Sequence, residues 1–126
     1  MGANGELIRS YMAAWGKVPA AELADWFSED ALYTDALGGE VIRGREAIRR
    51  DLVRAEASTG GPVDFGMQLL RLIEDGNVVV TERAEWFGRG AQRRELRAVT
   101  VFEVAEGKIR ESRAYFDRDP ELGPEG

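Results

Sequence analysis

The 126-residue sequence contains no cysteine and no histidine. Without cysteine there is no disulfide and no thiolate nucleophile. Without either residue, haem ligation by histidine and nearly all zinc-site designs are excluded. The Ser-His-Asp triad in its usual form goes too. No apolar run approaches the roughly 18 residues of a membrane span, so no membrane partner is expected. The N-terminal MGANGELIRS lacks the basic start and apolar core of a secretory leader, so a cytoplasmic location is expected; the absence of cysteine leaves the redox compartment open. Lys and Arg (17) are outnumbered by Asp and Glu (23), a net charge of −6. That balance argues against nucleic acid as a partner, because phosphate contacts require a basic surface.

Hydrophobic residues make up 44% of the chain, enough to build a core, and its length fits one domain, residues 1–126. Any proton chemistry must come from Asp, Glu, Tyr, Lys or Arg. A carboxylate mechanism is therefore favoured before any motif is found, with no cofactor and no metal expected.

The first half has helical periodicity. Residues 5–16 place Leu7, Ile8, Tyr11, Met12 and Trp15 on one stripe. Pro19 and Ala20 open a second short helix with Leu23, Trp26 and Phe27 inward, ended by Ser28-Glu29-Asp30. Residues 31–35 read as a strand, Gly38-Gly39 as a turn, and 40–43 as a segment pairing back. A third helix spans 45–57 with Ile48, Leu52 and Val53 inward, and the breakers at 58–62 stop it. The second half has strand periodicity over 63–74, 78–87, 93–104 and 109–116. Asp75-Gly76-Asn77 is a hairpin turn, and the tail 118–126, with two prolines and two glycines, is expected to be flexible. In 93–104 the row Leu96, Ala98, Thr100, Phe102, Val104 is the better core face, while neither row of 78–87 is clean. Helices followed by an antiparallel meander predict an α+β domain with helices on one face of a sheet.

Several strings carry candidate chemistry. Tyr11 lies in the apolar stripe of the first helix, and Asp35 follows it in YTDALGGEVIRG. VVVTERAEWF holds Arg83 and Glu85 two apart on one strand face, and PVDFGM holds Asp64. Read locally, Asp35 is a turn aspartate, and Arg83 and Glu85 are a solvated ion pair. The layout and these strings resemble the nuclear transport factor two-like superfamily over residues 7–117. It includes ketosteroid isomerases, SnoaL-like polyketide cyclases and limonene-epoxide-hydrolase-like proteins. The resemblance implies a strongly bent, mixed but mainly antiparallel sheet that forms a cone-shaped pocket with three N-terminal helices. A homodimer and a hydrophobic small-molecule substrate are also implied.

The spacing from Tyr11 to Asp35 is similar to the isomerase pattern. By that match Tyr11 donates to an oxyanion and Asp35 moves the proton, with the isomerases' second donor falling at Thr100. VVVTERAEWF resembles the Glu-Arg-x-Asp strand of limonene-epoxide hydrolases. There Arg83 would bridge carboxylates, Glu85 would protonate an epoxide oxygen, and Tyr33 and Asp35 would position water. The water-activating aspartate of that family falls at Ala114. The epoxide-opening polyether cyclases are similar in keeping Tyr11 and Asp35 and adding an acid near Asp64, and this pattern is the closest. The resemblance thus implies epoxide opening, by cyclisation or hydrolysis, in a polyketide- or terpenoid-like molecule; a double-bond isomerase and a non-catalytic binding protein are the alternatives. The catalytic set is Asp35, Tyr11, Asp64, Glu85 and Arg83. Tyr33, Thr100, Trp15, Phe102 and Phe116 are the candidate substrate-binding residues.

Overall fold

The structure is a computed structural model and describes residues 2–35, 39–57, 64–89 and 92–117. The expected breaker at 58–62, the tail 118–126 and parts of the turns around Gly38 and Gly90 lie outside the described residues.

Three helices precede most of the sheet. α1 is Ala3–Ala14, α2 is Ala20–Leu23 with a 3₁₀ turn at Ala24–Trp26, and α3 is Arg45–Ala57. The strands are β1 Phe27–Asp35, β2 Val41–Arg43, β3 Asp64–Asp75, β4 Val78–Arg89, β5 Gln92–Ala105 and β6 Lys108–Phe116. They form one sheet in the order β2-β1-β6-β5-β4-β3. Only β1 and β6 are parallel, so the sheet is mixed and mostly antiparallel. The α+β architecture matches the expectation from sequence.

Two local readings need correction. The second helix does not run to Ser28: the chain tightens to a 3₁₀ turn at Ala24 and is extended from Phe27 onward. Phe27 is fully buried as a strand residue, between β6 and Tyr11. In α3, Ile48 and Leu52 face inward as expected, but Val53 is 41% exposed. A residue one step beyond Leu52 is rotated about 100° around the helix and leaves the apolar stripe.

The core lies between the helices and the inner sheet face. Ile8, Tyr11 and Met12 of α1, Leu23, Phe27, Ile48 and Leu52 meet Val79, Phe102, Val104 and Ile109 of the sheet. The Ala20 N–H donates to Glu56 Oε2 at 3.1 Å, which ties the start of α2 to the end of α3. On the sheet's other face Gly66 lies under the Trp86 indole, where an added Cβ would meet the ring at 2.2 Å. That face also leaves Val99 and Tyr115 exposed.

Among the described residues no helix is long and apolar enough to cross a membrane.

Candidate functional site

Strand register explains the site. Leu96, Ala98, Thr100, Phe102 and Val104 are all buried, so the expected core row of β5 holds. β4 presents Val79, Thr81 and Arg83 to that row, paired with Phe102, Thr100 and Ala98. The β4 face that parity alone left open is therefore the one carrying Arg83 and Glu85. Successive rows then cross the inner face. The first row is Tyr33, Ser112, Phe102 and Val79. The second is position 35, Ala114, Thr100 and Thr81. The third is Phe116, Ala98, Arg83 and Leu69, and beside it Glu85 pairs with Leu96 and Met67. The rows grade from apolar to charged along the strands.

Arg83 is 9% exposed, and its Nε donates to Glu85 Oε2. Glu85's side chain is 15% exposed. The pair is not the solvated surface bridge of the local reading. The Arg83 Nη1 donates to Thr100 Oγ1 at 2.6 Å. Its guanidinium carbon stands 5.8 Å from the centroid of the Phe116 ring, across the small Ala98. Thr100 thus accepts from a cation and keeps its own O–H to donate.

Tyr11 is 3% exposed inside a cage of Trp15, Trp26, Phe27 and Phe102, with ring centroids 5.6 to 6.2 Å away. Burial pushes its phenol well above the ordinary range, and Tyr33 adds to this. A hydrogen bond from Trp15 and the charge of Arg83 pull the other way and are outweighed. Tyr11, Tyr33 and Arg83 therefore share one electrostatic neighbourhood, and Tyr11 is a neutral O–H donor at any working pH. Tyr33 is half-buried, with its ring 6.0 Å from Phe27.

The shift carries a pH consequence. The folded chain holds the Tyr11 proton more tightly than the unfolded chain, whose phenol has the ordinary value of 10.0. Its contribution to stability is therefore complete below pH 10 and falls as pH rises beyond it. Urea unfolding followed from about pH 9 to about pH 12 should show a steeper alkaline loss in the wild type than in Tyr11→Phe.

Of the candidate carboxyls, the structure brings Glu85 to Arg83. Position 35 pairs with Ala114, whose other neighbour is Thr100, so its backbone enters the same set of rows; the Asp35 side chain lies outside the described residues. Position 64 pairs with Gly88, in register with Gly66 and Trp86 and not with Arg83 and Glu85; the Asp64 side chain is likewise outside them. Trp15 and Phe116 are half-buried beside Tyr11 and Arg83, and Phe102 is core. Sequence reasoning passed over two buried polar residues of the inner face, Thr81 and Ser112. The available signal for Thr81 was its place in one strand row with Arg83 and Glu85. A surface concavity of about 380 Å³ lined by Leu7, Glu22, Asp25, Trp26, Gly107 and Lys108 is elsewhere and holds none of Tyr33, Arg83, Glu85 or Thr100. Among the described residues no three carboxylates are grouped to hold a metal ion.

The fold resembles that of solved structures across nearly the whole chain. An epoxide hydrolase of the limonene-epoxide-hydrolase-like type from M. tuberculosis is 28% identical, with a TM-score of 0.70 over 91% of this chain and 83% of that one. A candidate SnoaL-like polyketide cyclase from Shewanella putrefaciens is 19% identical, with a TM-score of 0.77 over 93% and 81%. A protein with a ketosteroid isomerase-like fold from Catenulispora acidiphila, in complex with trimethylamine, is 19% identical, with a TM-score of 0.74 over 87% and 84%. No protein of curated function matches the chain in sequence. The sequence pattern of the SnoaL-like domain matches residues 8–112, and the chain belongs to that family, within the nuclear transport factor two-like fold.

Proposed function

We propose that this chain is a cofactor-free acid/base enzyme that opens an epoxide in a hydrophobic small molecule. The observation that carries the reading is the Arg83–Glu85 pair, placed on the inner sheet face beside Thr100 and the aromatic cage of Tyr11. A charged pair is costly to bury, and a well-packed apolar pair would serve stability as well or better. A pair aimed at a ligand has a chemical reason to be there. The 28% identity to the mycobacterial epoxide hydrolase supports the same reading.

The reaction needs two proton transfers. One carboxyl of Asp35 and Glu85 gives its proton to the epoxide oxygen as the C–O bond breaks. The other, as carboxylate, takes the proton of the attacking oxygen as the new C–O bond forms. That attacking oxygen belongs to water or to a hydroxyl of the substrate. The proton returns between the two carboxyls through solvent, and nothing is oxidised or reduced. Arg83 and the Tyr11 hydroxyl position oxygen atoms around the reacting carbon.

Tyr11 also favours a second reading. A phenol that keeps its proton is suited to hold a dienolate oxygen, as a double-bond isomerase requires. One assay separates the two. Wild type and Asp35→Asn are offered a panel of hydrophobic epoxides and a β,γ-unsaturated cyclic ketone. Turnover of the epoxides, lowered at least about 100-fold in Asp35→Asn, is expected. Turnover of the ketone alone supports the isomerase, and full epoxide rate in Asp35→Asn rules out the proton role of Asp35.

A further inference from the structure

Thr81 is fully buried, and its Oγ1 has no hydrogen-bond partner among the described residues. Burying a hydroxyl without a partner is destabilising, and valine would fill the same shape without that penalty. Thr81 sits on the inner face of β4 between Val79, which belongs to the apolar core, and Arg83, which belongs to the site. Directly across in β5 is Thr100, whose hydroxyl is capped on one side by Arg83 Nη1 and retains a proton to give. Two threonines thus pair across β4 and β5 where the apolar core meets the charged pair, and among the described residues only the Thr100 hydroxyl has a partner.

We propose that Thr81 and Thr100 form a subsite for one oxygen of the ligand, a hydroxyl or carbonyl distinct from the epoxide. The inference rests on the reading of this face as a small-molecule site, and it narrows the substrate class. The substrate is an oxygenated compound, such as an epoxy alcohol or epoxy ketone, and not a plain hydrocarbon epoxide. Thr100 donates to the ligand oxygen, and Thr81 donates to it or accepts from its hydroxyl. Both threonines are buried, and the Arg83 side chain caps Thr100, so the ligand oxygen reaches them as that side chain shifts. Binding therefore registers at the Arg83 guanidinium as well as at the two strands.

The test needs no turnover. The full chain is titrated with 2-tetralol and with tetralin, two bicyclic probes differing in one hydroxyl, and followed by backbone amide and arginine Nε–H resonances. Wild type and Thr81→Ser are expected to bind the alcohol about tenfold more tightly than the hydrocarbon, the effect of one net hydrogen bond. Thr81→Val keeps the Thr100 donor, so it is expected to lose a large part of that preference and to melt about 3 °C higher, because its buried polar atom is gone. If the valine variant does not fold, Thr81→Ala makes the same comparison of the two probes. Retention of the full preference for the alcohol in the variant lacking the hydroxyl overturns the inference. Equal binding of both probes by the wild type overturns it as well, while leaving a small-molecule site in place. Binding of neither probe by the wild type removes the small-molecule reading and the subsite with it.

Discussion

Glu85→Gln is expected to lower epoxide opening by about 10²- to 10⁴-fold, the usual contribution of a positioned acid or base. Glutamine keeps the shape of the side chain, and its carbonyl oxygen still accepts from Arg83 Nε. What it removes is the capacity to exchange a proton with the substrate and the negative charge facing Arg83. The fold should survive, with a melting temperature lowered by several degrees, because Arg83 keeps a hydrogen bond and loses its counter-charge. Glu85→Asp should recover part of the rate, since it restores the carboxylate one methylene short. Rates measured beside thermal melts separate the two effects. A variant that melts lower but turns over at the wild-type rate makes Glu85 a structural partner of Arg83 and nothing more.

Arg83→Ala is expected to be the most destabilising single change at the site, by about 3–5 kcal/mol. Glu85, with a side chain only 15% exposed, would be left without its cation. Thr100 would lose the donor 2.6 Å from its hydroxyl, and the Phe116 ring would lose the guanidinium beside it. Urea unfolding measures the loss. The double variant Arg83→Met, Glu85→Gln should regain most of the stability while remaining inactive, because removing both charges of a buried pair is far less costly than removing one. If Arg83→Ala costs less than about 1 kcal/mol, the pair behaves as a solvated surface bridge and its proposed role in the site falls.

How far the sequence could be read follows from where each signal resides. The stripe of α1 was legible because Ile8, Tyr11 and Met12 repeat at helical spacing, and all three are buried. The hairpin at Asp75-Gly76-Asn77 was legible because the turn needs a positive φ, which Gly76 adopts at 61°. The inner row of β5 was legible because four apolar residues alternate around one threonine. The inner row of β4 was not, because Arg83 and Glu85 replace the apolar residues that mark a core face. Its orientation comes from pairing with β5, a long-range fact that local alternation does not contain. The same holds for the row joining position 35 to Ala114, Thr100 and Thr81, which depends on the parallel pairing of β1 with β6. The start of β1 at Phe27 was misplaced because Trp26 and Phe27 fit an amphipathic helix as well as a strand. The acid near Asp64 came from resemblance with an uncertain register. Position 64 pairs with Gly88, and the Asp64 side chain lies outside the described residues.

The central claim is that this chain opens an epoxide by carboxyl acid/base chemistry. Product analysis in ¹⁸O-labelled water tests it most directly, using the wild type and the Asp35→Asn, Glu85→Gln double variant on oxygenated hydrophobic epoxides. The wild type is predicted to release a diol carrying one ¹⁸O, or a cyclic ether carrying none where the substrate bears an internal hydroxyl, and the double variant neither. Product formation no faster than in buffer, or equally fast in both proteins, would contradict the claim.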